Sequence, residues 1–157
     1  MRRHPITLVC PDWEDPRNVG SAFRLADAAG LTELILAGTT PRPPNRRIQK
    51  TARSTVRHVP YREVEDAAAY LEEARSAGRF ILALEITDES YSLLEYQPPA
   101  EANDIVLVAG AEAGGIPPEL LALCDASVHL PMFGQNTSMN VAVAVGAAIY
   151  QLLTRFV

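Results

Sequence analysis

Cysteine is scarce. Cys10 and Cys124 are the only two, and no spacing pairs them. That excludes a disulfide framework and a thiolate zinc site. Long apolar runs are missing too. The longest, Val141–Leu153, spans 13 residues and is broken by Gly146 and Gln151, whereas a bilayer needs roughly 20. The start, MRRHPITLVCPDWEDP, holds one short apolar stretch before Pro11 and lacks the apolar core and cleavage site of a secretory signal. The expected compartment is therefore the cytoplasm. Histidine is absent from every polar cluster: His4, His58 and His129 stand apart. This leaves no Ser-His-Asp arrangement and no metal-ligand set. The Gly-rich stretch GAEAGGI is followed by no Lys-Ser/Thr, so it is not a P-loop, and its glycines are not spaced as G-x-G-x-x-G.

Acidic residues are missing from Leu34 to Arg62, where seven basic ones fall: Arg42, Arg46, Arg47, Lys50, Arg53, Arg57 and Arg62. The net charge of −5 argues mildly against a nucleic-acid partner. A local basic patch weighs more with a polyanion than net charge does.

What is present is a globular composition, 48% apolar and 21% charged over 157 residues. That is enough for one domain, 1–157, with a real core. Ile6–Cys10, Leu34–Ala37, Val56–Val59, Phe80–Ile86, Ile105–Ala109 and Ala126–Leu130 read as strands. Helices are expected from Asn18 as cap to about Ala29, over Ile48–Ser54 and Glu63–Ser76, from Pro117, and along the C-terminal apolar run. Strands alternating with helices give an α/β fold, a parallel sheet covered on both faces. Ligands bind such sheets at the carboxyl ends of strands. Polar, glycine-containing segments leave the strands after Cys10, Ala109 and Leu130, and they converge if those strands are neighbours. The C-terminal helix is apolar all round, so it needs more than one partner surface, and a second subunit is the expected one.

The first segment contains N-x-G-x-x-x-R (Asn18, Gly20, Arg24), the second G-x-E-x-x-G (Gly110, Glu112, Gly115), the third P-M-x-G-x-x-x-S-x-N-V (Pro131 to Val141). Each is weak alone. Together and in this order they resemble the three motifs of the SpoU (TrmH-type) RNA ribose methyltransferases of the SPOUT superfamily, over essentially the whole chain.

The resemblance implies a single SPOUT methyltransferase domain, with the C-terminal segment threaded into a trefoil knot that simple spacing could never show. It implies transfer of a methyl group from S-adenosylmethionine, leaving S-adenosylhomocysteine, to a ribose 2′-hydroxyl of tRNA or rRNA. It also implies a homodimer and no metal. Carried over, Asn18, Arg24, Glu112, Ser138 and Asn140 are the catalytic set. Leu84, Gly110, Leu130, Met132, Ser138 and Met139 are expected to line the cofactor, Leu84 from its place at a strand end. Arg42, Arg46, Arg47, Lys50, Arg53 and Arg57 are expected to bind RNA. An arginine almost never gives up its proton, so Arg24 is read as a phosphate anchor and oxyanion stabiliser, with the base unassigned. The chain resembles the minimal form of the family, as in the small tRNA wobble-position methylases, although its first motif is nearer the tRNA D-loop enzymes. tRNA is the first expectation and rRNA the second. A non-catalytic RNA-binding relative and a generic nucleotide-binding α/β enzyme are the rival classes.

Overall fold

Seven strands form one sheet in a computed structural model that describes all 157 residues. They are β1 (His4–Pro11), β2 (Leu31–Ala37), β3 (Tyr61–Val64), β4 (Phe80–Leu84), β5 (Tyr91–Ser92), β6 (Ile105–Ala109) and β7 (Ala126–His129). Their order is β3-β2-β1-β6-β4-β7-β5, and every pairing is parallel. The helices are α1 (Pro16–Ala29), α2 (Arg46–Ala52), α3 (Ala67–Ser76), α4 (Pro118–Leu121) and α5 (Val141–Leu153), with a short 3-10 helix at Arg53–Arg57.

Alternation along the strands divides the core. Ile6, Leu8, Leu34, Leu36, Leu82, Ile105 and Leu107 face one layer, packed under α1, α2 and α5 through Phe23, Ile48 and Ile149. Val9, Ile35, Ile81, Ala83, Val106 and Val108 face the other, under α3 and α4 through Leu71 and Leu120. The central strands are apolar on both faces, as a covered parallel sheet requires. No helix is long and apolar enough to cross a membrane.

The expected fold class holds, with local corrections. Asp15, not Asn18, caps α1: its carboxylate accepts the Arg17 N–H at 2.8 Å, and Pro16 takes the first helical position. Asn18 therefore lies inside the first turn, its side chain free for other work. Val56–Val59 is not a strand. The 3-10 turn occupies it, and the edge strand β3 begins after Pro60, so helix α3 starts only at Ala67, capped by Asp66. Two residues of the stretch expected to be irregular, Tyr91 and Ser92, form the opposite edge strand.

Candidate functional site

β1 and β6 lie side by side at the centre of the sheet, so the segments leaving their carboxyl ends meet. Trp13 ties them together. Its ring is buried, and its indole N–H donates to the Ala109 carbonyl at 2.8 Å. Its backbone N–H donates to Thr40 Oγ1, which in turn donates to the Cys10 carbonyl. The loop before α1 is thus fixed to the end of β6, one residue before Gly110.

Three side chains from three segments join in a directed chain. The N–H groups of Ala142 and Val143 donate to Asn140 Oδ1 at 2.9 and 3.2 Å, which makes Asn140 the cap of α5. Asn140 Nδ2 donates to Asn18 Oδ1 at 3.2 Å. Asn18 Nδ2 donates to Glu112 Oε1. Every dipole points the same way, from the positive end of a helix to a carboxylate, and such chains polarise one another. Asn18 is 6% exposed, whereas Glu112 is open to solvent. The second oxygen of Glu112 has no partner within the chain.

Behind this chain lies a cavity of about 550 Å³, within the range of small-ligand sites. Leu84, Gly110, Leu130, Met132, Ser138 and Met139 all line it, as do Glu112 and Asn140. Its floor is the turn from Gly110 to Ile116, closed by a bridge between Ala111 and Gly115. A Cβ on Gly110 would stand 2.2 Å from the backbone of Gly115. The glycine is thus demanded by the turn itself, before any ligand is considered. Glu85, which no motif marks, also lines the cavity. Its carboxylate accepts the Ile116 N–H at 2.8 Å and the Ile86 N–H at 3.1 Å, and so anchors the far end of the turn. Local sequence could not reveal Glu85 or Trp13, because their partners are set by strand order.

Arg24 is not with the others. It is exposed on α1, outside the cavity, and makes no hydrogen bond within the chain. Gly20 does not leave room for a ligand: α2 fills the space, with Thr51 Oγ1 1.7 Å from where a Cβ would be. That contact lays the basic segment on α1. Arg42 is partly engaged there, with Glu63 at 3.4 Å and the Gly38 carbonyl at 3.0 Å. Arg46, Arg47, Lys50, Arg53 and Arg57 are exposed with no side-chain partner in the chain. No group of three His, Cys, Asp or Glu residues could hold a metal ion. Neither thiol is reactive in character: burial raises Cys10, and burial raises Cys124 to about 12.

A family model described as the SpoU rRNA Methylase family matches residues 5–150. The chain belongs to this SpoU family. The SpoU chain is 32% identical over 145 residues to the 23S rRNA (guanosine-2′-O-)-methyltransferase RlmB of Neisseria meningitidis, which covers 92% of the chain and 56% of that relative. Among solved structures, an AdoMet-bound rRNA methyltransferase from Sinorhizobium meliloti superposes with a TM-score of 0.89 at 25% identity, covering 98% of the chain and 59% of that protein. A structure described as giving insight into 2-OH methylation of C/U34 on tRNA superposes with a TM-score of 0.82 at 30% identity, over 98% of the chain and 97% of its own. The chain spans a little over half the length of the curated relatives it matches.

Proposed function

We propose that this chain transfers the methyl group of S-adenosylmethionine to a ribose 2′-hydroxyl of RNA, with tRNA the first substrate and rRNA the second. The observation that carries the reading is the Asn140–Asn18–Glu112 chain standing at the mouth of a ligand-sized cavity. Family membership and the AdoMet-bound neighbour support the cofactor. The neighbour named for C/U34 of tRNA, matched over nearly its whole length, supports tRNA.

The lining fits the cofactor. Leu84, Leu130, Met132 and Met139 offer apolar walls for a planar base. When bound, S-adenosylmethionine supplies an activated methyl on a sulfonium sulfur. In transfer the ribose oxygen would take that carbon while the carbon–sulfur pair returned to sulfur, and the hydroxyl proton would pass to the solvent that reaches Glu112. The free oxygen of Glu112 accepts the hydroxyl hydrogen bond and orients the attack, while Asn18 and Asn140 hold the carboxylate still. Positioning dominates because the donor is already activated. In this reading residues 1–157 form one SPOUT domain, with the family's knot in the C-terminal segment around the cavity.

Arg24 serves the cavity of a second copy. α5 leaves Val143 62% and Tyr150 50% exposed, an apolar surface that suits a homodimer. Light scattering of a stable monomer at micromolar concentration would sink the dimer. The function itself is tested by calorimetry with S-adenosylmethionine, followed by transfer of labelled methyl to unmodified tRNA and to rRNA fragments, with ribose mapping. Cofactor binding with no transfer to either RNA would favour the non-catalytic relative.

A further inference from the structure

Within one chain, the charged residues that line the cavity are acidic. Every residue lining it lies between Leu84 and Ala144. From Phe80 to Thr154 the chain has neither Lys nor Arg. The ionisable side chains at the cavity are therefore Glu85, Glu112 and the imidazole of His129. His129 is tied through Nδ1 to Ser90 Oγ at 2.9 Å. Glu85 and Glu112 accept hydrogen bonds from neutral donors alone, the N–H groups of Ile86 and Ile116 and the amide of Asn18. Arg17, the cation that acts on Glu112 from α1, is exposed and paired with Asp15. These bonds fix the two carboxylates without cancelling their charge. A cleft of one sign with low-dielectric walls focuses its field on whatever enters.

S-adenosylmethionine and its product differ at this site by the methyl group and one positive charge. The sulfonium sulfur is cationic, the thioether sulfur left behind is neutral, and the amino-acid and nucleoside parts are the same. We infer that Glu85 and Glu112 make the cavity select the sulfonium cofactor over S-adenosylhomocysteine by charge, so that transfer itself loosens the product. This deepens the cofactor reading above and rests on it.

The selection does not need either carboxylate to touch the sulfur. One unit charge a few ångströms from two carboxylates, at a site partly open to water, changes affinity by on the order of tenfold. The test is calorimetry on the whole chain with three probes: S-adenosylmethionine, S-adenosylhomocysteine and sinefungin, whose amine carries a charge near the sulfonium position. The two cationic probes are expected to bind about tenfold tighter than the neutral product. Raising the salt from about 50 to about 500 mM should narrow the gap by weakening the cationic probes alone. Glu85→Gln and Glu112→Gln should each shrink the ratio severalfold while leaving the affinity for the product in place.

Product affinity equal to or above that of the cofactor in the unaltered chain overturns the inference. So does a ratio that neither variant changes. If Glu85→Gln weakens all three probes together, Glu85 acts only by anchoring the turn, and its part in the selection falls. A chain that binds none of the probes overturns the cofactor reading itself, an outcome separate from equal binding. Should Glu85→Gln fail to fold, Glu112→Gln and the salt series on the unaltered chain still decide the matter.

Discussion

Asn140 uses the two ends of one amide for two tasks, and a single substitution can separate them. Its oxygen caps α5 and its nitrogen donates to Asn18. Asn140→Asp keeps an oxygen at the cap, where Asp serves as well as Asn and suits the helix dipole. It loses the donor to Asn18. The melting temperature should stay within about 3 °C of the parent, while methyl transfer falls by roughly tenfold or more. Equal activity would show that the relay to Glu112 is idle. Arg24 predicts the opposite pairing of effects. It supports nothing in its own chain, so Arg24→Ala should leave the fold untouched. Transfer should still fall by roughly a hundredfold, the scale of losing one oxyanion-type donor. Arg24→Lys should recover little, since a point charge does not replace a planar fork. Normal turnover of Arg24→Ala on saturating RNA would remove the arginine from the mechanism.

Between elements, α1 packs directly against α2 at Gly20. A methyl group there meets Thr51 Oγ1 and, at 2.6 Å, the Ile48 carbonyl. The hydroxyl can rotate away, but the carbonyl belongs to helix backbone. Gly20→Ala should therefore cost about 1–3 kcal/mol, despite the better helix propensity of alanine, and should weaken RNA binding by displacing the basic helix. A melting temperature at or above the parent's would show that α2 is free to move off. Much of this level was legible in the sequence. β6 and α5 stand where hydrophobic patterning put them, because each is a clean apolar run with punctuated ends. Patterning failed where two signals competed. Asn18 looked like a cap because Asp15 and Pro16 sit within a loop-like PDWEDPR. Val56–Val59 looked like a strand because the β-branched pair outweighed the turn hydrogen bonds that Thr55 supplies as hydroxyl donor and carbonyl acceptor. At the site, the three motifs name Asn18, Glu112 and Asn140, but no local pattern states that these three touch. Glu85 and Trp13 bear no pattern at all.

At the scale of the molecule, charge is divided along the chain. The basic helix α2 packs on α1 in the first half, while residues 80–154, which supply β4, β5, β6 and β7, contain no Lys or Arg. RNA should meet the first half through phosphate contacts that release counterions, at roughly −0.7 to −0.9 in log–log salt slope per phosphate. Replacing Arg46 and Arg47 together by Ala should flatten that slope by one to two units and leave cofactor affinity alone. An unchanged slope would move the RNA elsewhere on the surface. The strand order has one more consequence, in time rather than space. β1 is made first, yet its neighbour β6 begins at Ile105, some hundred residues later. Loops of that size close slowly, and folds dominated by such pairings fold slowly. A chain emerging from the ribosome therefore holds Ile6–Val9 without their β6 partner until Ile105 and the residues after it are made. The Asn140–Asn18–Glu112 chain, which draws on residues 18, 112 and 140, cannot close before residue 140 is made, so the proposed site forms late in the synthesis of these residues.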